Sequence, residues 1–198
     1  MSQFWDQRFS NETYVYGETP NEFFKQELSK LKPGSILFPC EGEGRNAVYA
    51  ATHGWKVSAF DGSEAAKRKA LALAEKHQVA IEYEINPVEH YVVKEGEYDA
   101  IVLIFAHFSP EIRLAFHTDI IKGLKKGGVL ILEGFRREQL GLSSGGPQQL
   151  DMLFDEQMLS KDFEMLDIVH LENSERILDE GAFHQGNAFL IQLVGLKV

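Results

Sequence analysis

The feature that most constrains this chain is a short glycine loop set between two segments of different period. Ser35 to Pro39 is a brief apolar run that reads as a strand, and Arg45 to His53, closed by Gly54, reads as a helix. Between them lies Cys40-Glu41-Gly42-Glu43-Gly44. Glycines at such a turn reach positive φ and let another molecule approach the main chain, while the unpaired N–H groups of the new helix face whatever arrives. Asp61 follows Gly42 by 19 positions, at the end of the next extended run, Trp55 to Phe60. A carboxylate there can accept two hydrogen bonds from a ribose diol. Loop and acid together describe a nucleoside lying across the carboxyl edge of a sheet. The plainer alternative is a tight turn whose Asp61 caps the following helix.

The rest of the chain continues the alternation. Thr19-Pro20-Asn21-Glu22 reads as a capping box with proline at the first helical position, and Phe24, Leu28 and Leu31 then share a face until Lys32-Pro33-Gly34. Asp61-Gly62-Ser63 turns into a helix through His77; Ala80 to Ile85 is a third strand and Tyr98 to Phe105 a buried fourth. A helix from Ser109-Pro110 carries Ile112, Phe116, Ile120 and Leu124 inward, and Gly127-Gly128 leads to a fifth strand, Val129 to Glu133. The last third changes character: a glycine-rich loop, Gly141 to Pro147, precedes a short helix at about 155–161. Two extended runs follow, Met165 to Glu172 and about 182–194, close enough to pair antiparallel. This is a doubly wound α/β domain of Rossmann-like type, with helices on both faces of a mostly parallel sheet. One unit is expected over 1–198: an N-terminal covering segment and helix (1–33), a nucleoside-binding core (34–135) and an acceptor-side loop, helix and hairpin (136–198).

Composition narrows the chemistry. A chain of 198 residues with 44% apolar content supports one well-cored domain. No apolar run approaches the roughly 20 residues of a membrane span, and the first residues lack the pattern of a signal peptide, so no membrane partner and a cytoplasmic location are expected. A single cysteine forms no internal disulfide, and no Cys/His cluster has metal-ligand spacing, so no metal is expected. The net charge of −10 opposes nucleic-acid binding, and Lys67-Arg68-Lys69 reads as a solvated helix face. Cys40 reads as a small buried thiol.

Gly42-x-Gly44-x-x-Ala47 also satisfies the dinucleotide fingerprint. A nicotinamide-dependent oxidoreductase is therefore the rival reading, opposed by the lack of a second domain, of a Tyr-x-x-x-Lys pair and of a dinucleotide-type ending. A non-catalytic nucleoside-binding domain is a third. Gly42-Glu43-Gly44-Arg45-Asn46-Ala47-Val48-Tyr49-Ala50-Ala51, with Gly54-Trp55-Lys56-Val57 and Phe60-Asp61-Gly62-Ser63-Glu64, resembles the tellurite-resistance and thiopurine-type branch of class I S-adenosylmethionine-dependent methyltransferases. Phe4 to Phe9 and Tyr14 to Asn21 resemble the segment that folds over the cofactor in that branch, and Leu124 to Gly128 the turn before its fifth strand. The resemblance implies a seven-stranded sheet in the order 3-2-1-4-5-7-6, strand 7 antiparallel. It also implies S-adenosylmethionine as cofactor, S-adenosylhomocysteine as product and a small-molecule acceptor with N, O, S or a chalcogen oxyanion receiving the methyl group.

Carried over position by position, the resemblance places Tyr16, Gly17, Cys40, Glu41, Gly42, Gly44, Arg45, Asn46, Asp61, Gly62, Ser63, Asn86, Pro87, Val88 and Phe105 around the cofactor. Two departures stand out. The class carries an acid at the end of its first strand, where this chain has Phe38-Pro39-Cys40-Glu41; Glu41 could supply the missing carboxylate. An acid that receives the adenine amino group is replaced by Pro87, leaving the Asn86 amide oxygen and the Val88 N–H for adenine. Methyl transfer from a sulfonium asks for alignment and exclusion of water, and Tyr14, Tyr16 and Phe105 are candidate aromatic neighbours of the positive charge. For the acceptor, His107 after the fourth strand has a pKa suited to removing a proton, or else caps the next helix; His184 is placed at the acceptor by the resemblance. Arg136 and Arg137 are candidates for an anionic acceptor, and 141–147 for a mobile lid.

Overall fold

The computed structural model describes residues 2–198. Its strands are β1 (Ser35–Pro39), β2 (Lys56–Asp61), β3 (Glu82–Ile85), β4 (Tyr98–Ile104), β5 (Leu124–Phe135), β6 (Asp167–Asp179) and β7 (Gln185–Leu196). They form one sheet in the order β3-β2-β1-β4-β5-β7-β6, with β7 antiparallel to both neighbours. The helices are α1 (Ser2–Phe9), α2 (Glu22–Leu28), α3 (Arg45–Thr52), α4 (Glu64–Lys76), α5 (Pro110–Ile120) and α6 (Glu156–Asp162). Order and orientation agree with the Rossmann-like expectation. None of the described helices is long and apolar enough to cross a membrane.

Strand polarity explains the two layers. On one face Ile36, Phe38, Val102 and Ile131 meet Phe24 of α2, Ala47 of α3 and Ala70 of α4; on the other, Leu37, Ile101, Leu103 and Leu132 meet Phe116 of α5 and Leu159 of α6. Phe38, which stands where an acid was expected, is fully buried, its ring edge-on to Phe24 at 5.4 Å. Burying such a ring contributes about 1.5–3 kcal/mol, so this position works for the core.

Several local expectations change. The N-cap of α2 is Asn21, whose side chain accepts the Phe24 N–H at 2.9 Å; Thr19 makes no capping box and Pro20 lies outside the helix. Leu124 opens β5 instead of continuing the helical face, because a 3-10 turn at Ile121–Gly123 ends α5. β6 runs to Asp179, well past Glu172, paired with β7 along its length. Backbone pairing with a strong neighbour holds its polar stretch Glu172 to Arg176 extended.

Candidate cofactor and acceptor site

The strand order reverses between β1 and β4, and the crevice outside their carboxyl ends is where ligands bind in open α/β sheets. Both strands end there on a non-glycine residue in the left-handed region: Cys40 at φ 52° and Phe105 at φ 54°. Cys40 takes the turn that a glycine would make without strain, and such backbone strain gathers at binding sites.

After Cys40 the loop is tightly built. Gly42 (φ 66°) donates its N–H to Asp61 Oδ2 at 3.1 Å, while Ser63 N–H donates to Oδ1 at 2.9 Å. The Tyr83 hydroxyl donates to Gly42 O at 2.7 Å. Loop and acid, 19 positions apart, are thus one unit. Burial raises the Asp61 carboxyl to about 6, against the pull of its backbone donors. Gly44 (φ 91°) permits α3 to approach α4, since a Cβ there would lie 2.7 Å from Ala70 Cβ.

Glu41 turns toward α3. Its Oε1 accepts the N–H groups of Asn46 (3.0 Å) and Ala47 (2.8 Å), and burial raises its carboxyl to about 7. Among the described residues it makes no ion pair within 4.0 Å, whereas Glu43 is neutralised by Lys69 at 2.6 Å and Glu180 by Arg45 at 2.8 Å. The other carried-over residues divide. Asn46 Oδ1 accepts the Asn21 N–H at 2.9 Å and Arg45 Nη1 donates to Tyr16 O at 3.2 Å, so both side chains fasten the loop to its surroundings. Asn86 is tied by its N–H to Asp61 O at 2.9 Å, which brings Asn86, Pro87 and Val88 beside the acid, next to Gly62 and Ser63. Ser63 also caps α4.

The N-terminal segment lies over this loop. Val15 and Tyr16 N–H groups donate to Glu43 Oε2 at 2.7 and 3.3 Å; Asp6 Oδ1 accepts from Ser63 Oγ at 2.6 Å and Ala65 N at 3.0 Å. The Phe9 ring covers Gly42, and Gly17 meets the turn at Gly181. Lys69, expected on a solvated face, instead bridges Glu43 and Thr13 O (2.7 Å).

The acceptor-side expectations fare unequally. His107 is fully engaged: Nδ1 lies 2.8 Å from Met152 O, and Nε2 receives the Phe135 N–H at 3.0 Å. With Nδ1 protonated, neither nitrogen is free to take a proton, and burial lowers the imidazole to about 4. His107 is a staple between β4, β5 and the Met152 turn, neither base nor helix cap. His184 is different. Its ring sits 4.5 Å from Tyr16 and 4.6 Å from Phe105, and Nδ1 is buried without a hydrogen-bond partner, 3.8 Å from Glu180 Oε2. Burial keeps it neutral at pH 7. The 141–147 loop lies on this same edge, but it is packed: a Cβ on Gly145 would fall 2.6 Å from His184, and Gln139 Nε2 holds Ser144 Oγ (2.8 Å) and Gly145 O (3.0 Å). Arg136 pairs with Glu175 at 2.8 Å and Arg137 with Asp155 at 3.0 Å, so both have partners within the chain.

A closed polar ring joins the two halves of the site. From Asn46 it runs to Asn21, then to buried Glu133 (2.6 Å), Arg176 (2.8 Å), Glu180 (2.8 Å) and back to Arg45 (2.8 Å). Only Arg45 and Asn46 were singled out from the sequence. The legible signal for Glu133 was an acid closing the apolar run Val129 to Leu132.

Comparison with known proteins adds a family match. Residues 36–128, a little under half of the chain, match the family model described as a methyltransferase domain. No curated protein matches. Among solved structures, one concerned with converting a disulfide bond into a thioacetal group during echinomycin biosynthesis has a TM-score of 0.80 at 16% identity, over 100% of this chain and 92% of that one. TehB from Haemophilus influenzae has a TM-score of 0.75 at 15% identity, over 100% of this chain and 67% of that one. The 1,6-didemethyltoxoflavin-N1-methyltransferase of Burkholderia thailandensis, solved with S-adenosylhomocysteine, has a TM-score of 0.64 at 18% identity, over 88% and 75%. At these identities the likeness is one of fold. Residues 36–128 are therefore similar to a methyltransferase domain, and the chain shares the fold of these solved structures.

Proposed function

We propose that this chain transfers the methyl group of S-adenosylmethionine to a small-molecule acceptor. The observation that carries the reading is the Gly42–Asp61 unit at the β1/β4 reversal, within the residues that match the methyltransferase domain. The site suits the cofactor: Asp61 is a buried carboxylate bonded only to backbone N–H groups, with lone pairs left for a ribose diol, and Gly42 keeps the loop close. The cofactor, when bound, supplies a methyl group activated on a sulfonium. Asp61 holds the ribose, the stretch Asn86 to Val88 borders the base, and Tyr16 and Phe105 supply ring faces suited to positive charge. The N-terminal segment excludes water. His184 is neutral and its Nδ1 is enclosed beside Glu180, so it is Nε2 that receives the proton of an N, O or S acceptor, and Glu180 favours the resulting imidazolium. Tyr16, Phe105 and His184, enclosed by the 141–147 loop, favour a small acceptor with an apolar or flat body.

The oxidoreductase reading meets a specific obstacle. A dinucleotide sets its pyrophosphate on the first amides of the helix after the loop, and here Glu41 already occupies those of Asn46 and Ala47 with a carboxylate. Calorimetry with S-adenosylhomocysteine and NADH separates the readings: binding of the first and not the second is expected, and NADH binding alone overturns the proposal. Transfer of labelled methyl from S-adenosylmethionine across amine, hydroxyl, thiol and chalcogen-oxyanion acceptors then tests catalysis. S-adenosylhomocysteine binding with no transfer to any of these would leave a non-catalytic nucleoside-binding domain.

A further inference from the structure

The β6–β7 turn sets two titratable side chains side by side, and only one of them finds partners. Glu180 N–H donates to His184 O at 2.9 Å across Gly181, which sits at φ 80°. The His184 ring is walled in: Tyr16 lies at 4.5 Å, Phe105 at 4.6 Å and Phe135 at 5.3 Å, and Gly145 lies against its Cδ2. A ring so enclosed cannot travel, so its distance from the carboxylate is set by where Glu180 is held. Arg45 Nη2 holds Glu180 Oε2 at 2.8 Å, and Arg176 Nη2 holds Oε1 at 2.8 Å. Oε2 is also the oxygen that faces Nδ1, yet it stands off at 3.8 Å, about 1 Å beyond a hydrogen bond. Nδ1 is left buried and unpartnered, at a cost, beside a carboxylate that Arg45 keeps occupied.

We propose that Arg45 is a positioning residue for the acceptor base, holding Glu180 Oε2 away from His184 Nδ1 so that the imidazole stays unprotonated until the acceptor delivers its proton to Nε2. The inference rests on the proposed function and adds a control on its base: the helix that the glycine loop opens also sets the state of the acceptor side. The influences on the ring oppose each other. Burial lowers His184 below its ordinary range, Arg45 of α3 and Arg176 of β6 push it the same way, and Glu180 pulls it up. Arg8 reaches the Tyr16 hydroxyl at 3.2 Å and adds a further positive charge. Tyr16, raised by burial, and His107, lowered by it, are both neutral at pH 7, and the 141–147 loop carries no charged residue. Without Arg45, Oε2 is free to close on Nδ1, and a carboxylate in contact with an imidazole holds it protonated.

The test follows the His184 ring against pH by nitrogen-detected NMR in the wild-type chain, Arg45→Met, Arg45→Lys, and Arg45→Met combined with Glu180→Gln. Arg45→Met should bind the His184 proton about ten-fold or more tightly than the wild-type chain, the scale for a histidine that gains a contact carboxylate and loses a nearby cation. Arg45→Lys keeps a charge on Oε2 and should restore most of the wild-type midpoint. The double variant should lose most of the rise, because its carboxamide has no charge to bring to Nδ1. A clamp that only holds the fold would lower the melting temperature of Arg45→Met and leave the His184 titration in place. That result overturns the proposal, as does a rise that persists undiminished in the double variant. If Arg45→Met melts below the measuring temperature, Arg45→Gln, which keeps an amide donor for Oε2, is read in its place with the same expected direction. Calorimetry with S-adenosylhomocysteine on the wild-type chain separates the two levels: no binding brings down the proposed function, whereas binding with an unmoved His184 midpoint brings down this inference alone.

Discussion

Asp61 and His107 show how neighbours decide what a titratable side chain can do. Asp61 keeps spare lone pairs because its partners are single backbone donors, so Asp61→Ala should weaken S-adenosylhomocysteine by about 1.5–3 kcal/mol in calorimetry. Unchanged affinity would remove Asp61 from the site. His107 has spent both nitrogens on Met152 O and the Phe135 N–H. Its imidazole is buried and lowered to about 4, so nitrogen-detected NMR should find a neutral ring, protonated at Nδ1, down to about pH 5. Titration near 6.5 would show that the staple is open in solution. From the sequence, His107 and His184 looked alike as polar residues near strand ends. What separates them is the direction of the bonds around each ring, set by Met152 and Phe135 for one and by Tyr16, Phe105 and Glu180 for the other.

Between elements, the ring from Asn21 through Glu133, Arg176, Glu180 and Arg45 fastens the start of α3 to the β6–β7 turn. Arg45 and Glu180 are both under 9% exposed, and burial opposes the Glu180 charge; His184, Arg45 and Arg176 outweigh it and hold that carboxyl well below the usual range. Removing one member leaves the others charged and uncompensated, so Glu180→Ala should cost about 3–5 kcal/mol in urea unfolding. A cost below about 1 kcal/mol would mean that water replaces the carboxylate freely. Arg45→Met combined with Glu180→Leu should recover much of the loss. The β1-loop-α3-β2 unit was legible because its signals are local: an apolar run, two glycines and an acid within about thirty positions. The ring was not, because its members span Asn21 to Glu180 and only the folded sheet brings them together. The true end of β6 was hidden for a related reason, since its polar half is extended by pairing with β7 and carries no period of its own.

For the molecule as a whole, these buried charges make stability depend on pH in a direction opposite to acid denaturation. Glu41 has a folded pKa near 7 against 4.5 for the free side chain, so the folded state binds the proton more tightly than the unfolded one. Stability from this group is therefore complete below about 4.5 and is lost as pH rises through 7. Asp61, near 6 against 3.8, acts in the same sense at lower pH. The histidines oppose them: His107, lowered to about 4 from 6.5, favours the folded state above 6.5 and loses that contribution as pH falls toward 4. His117 and His184, also lowered by burial, add to it. Near pH 6.5 the two sets work against each other, since unfolded histidines begin to bind protons there, so Glu41 is isolated only by comparison with Glu41→Gln. The wild-type melting temperature should therefore gain on that of Glu41→Gln as pH is brought from 8 to 6.5, a difference in which the histidine contribution cancels. A difference between the two chains that stays constant from pH 8 to 6.5 would mean that another group carries the buried charge.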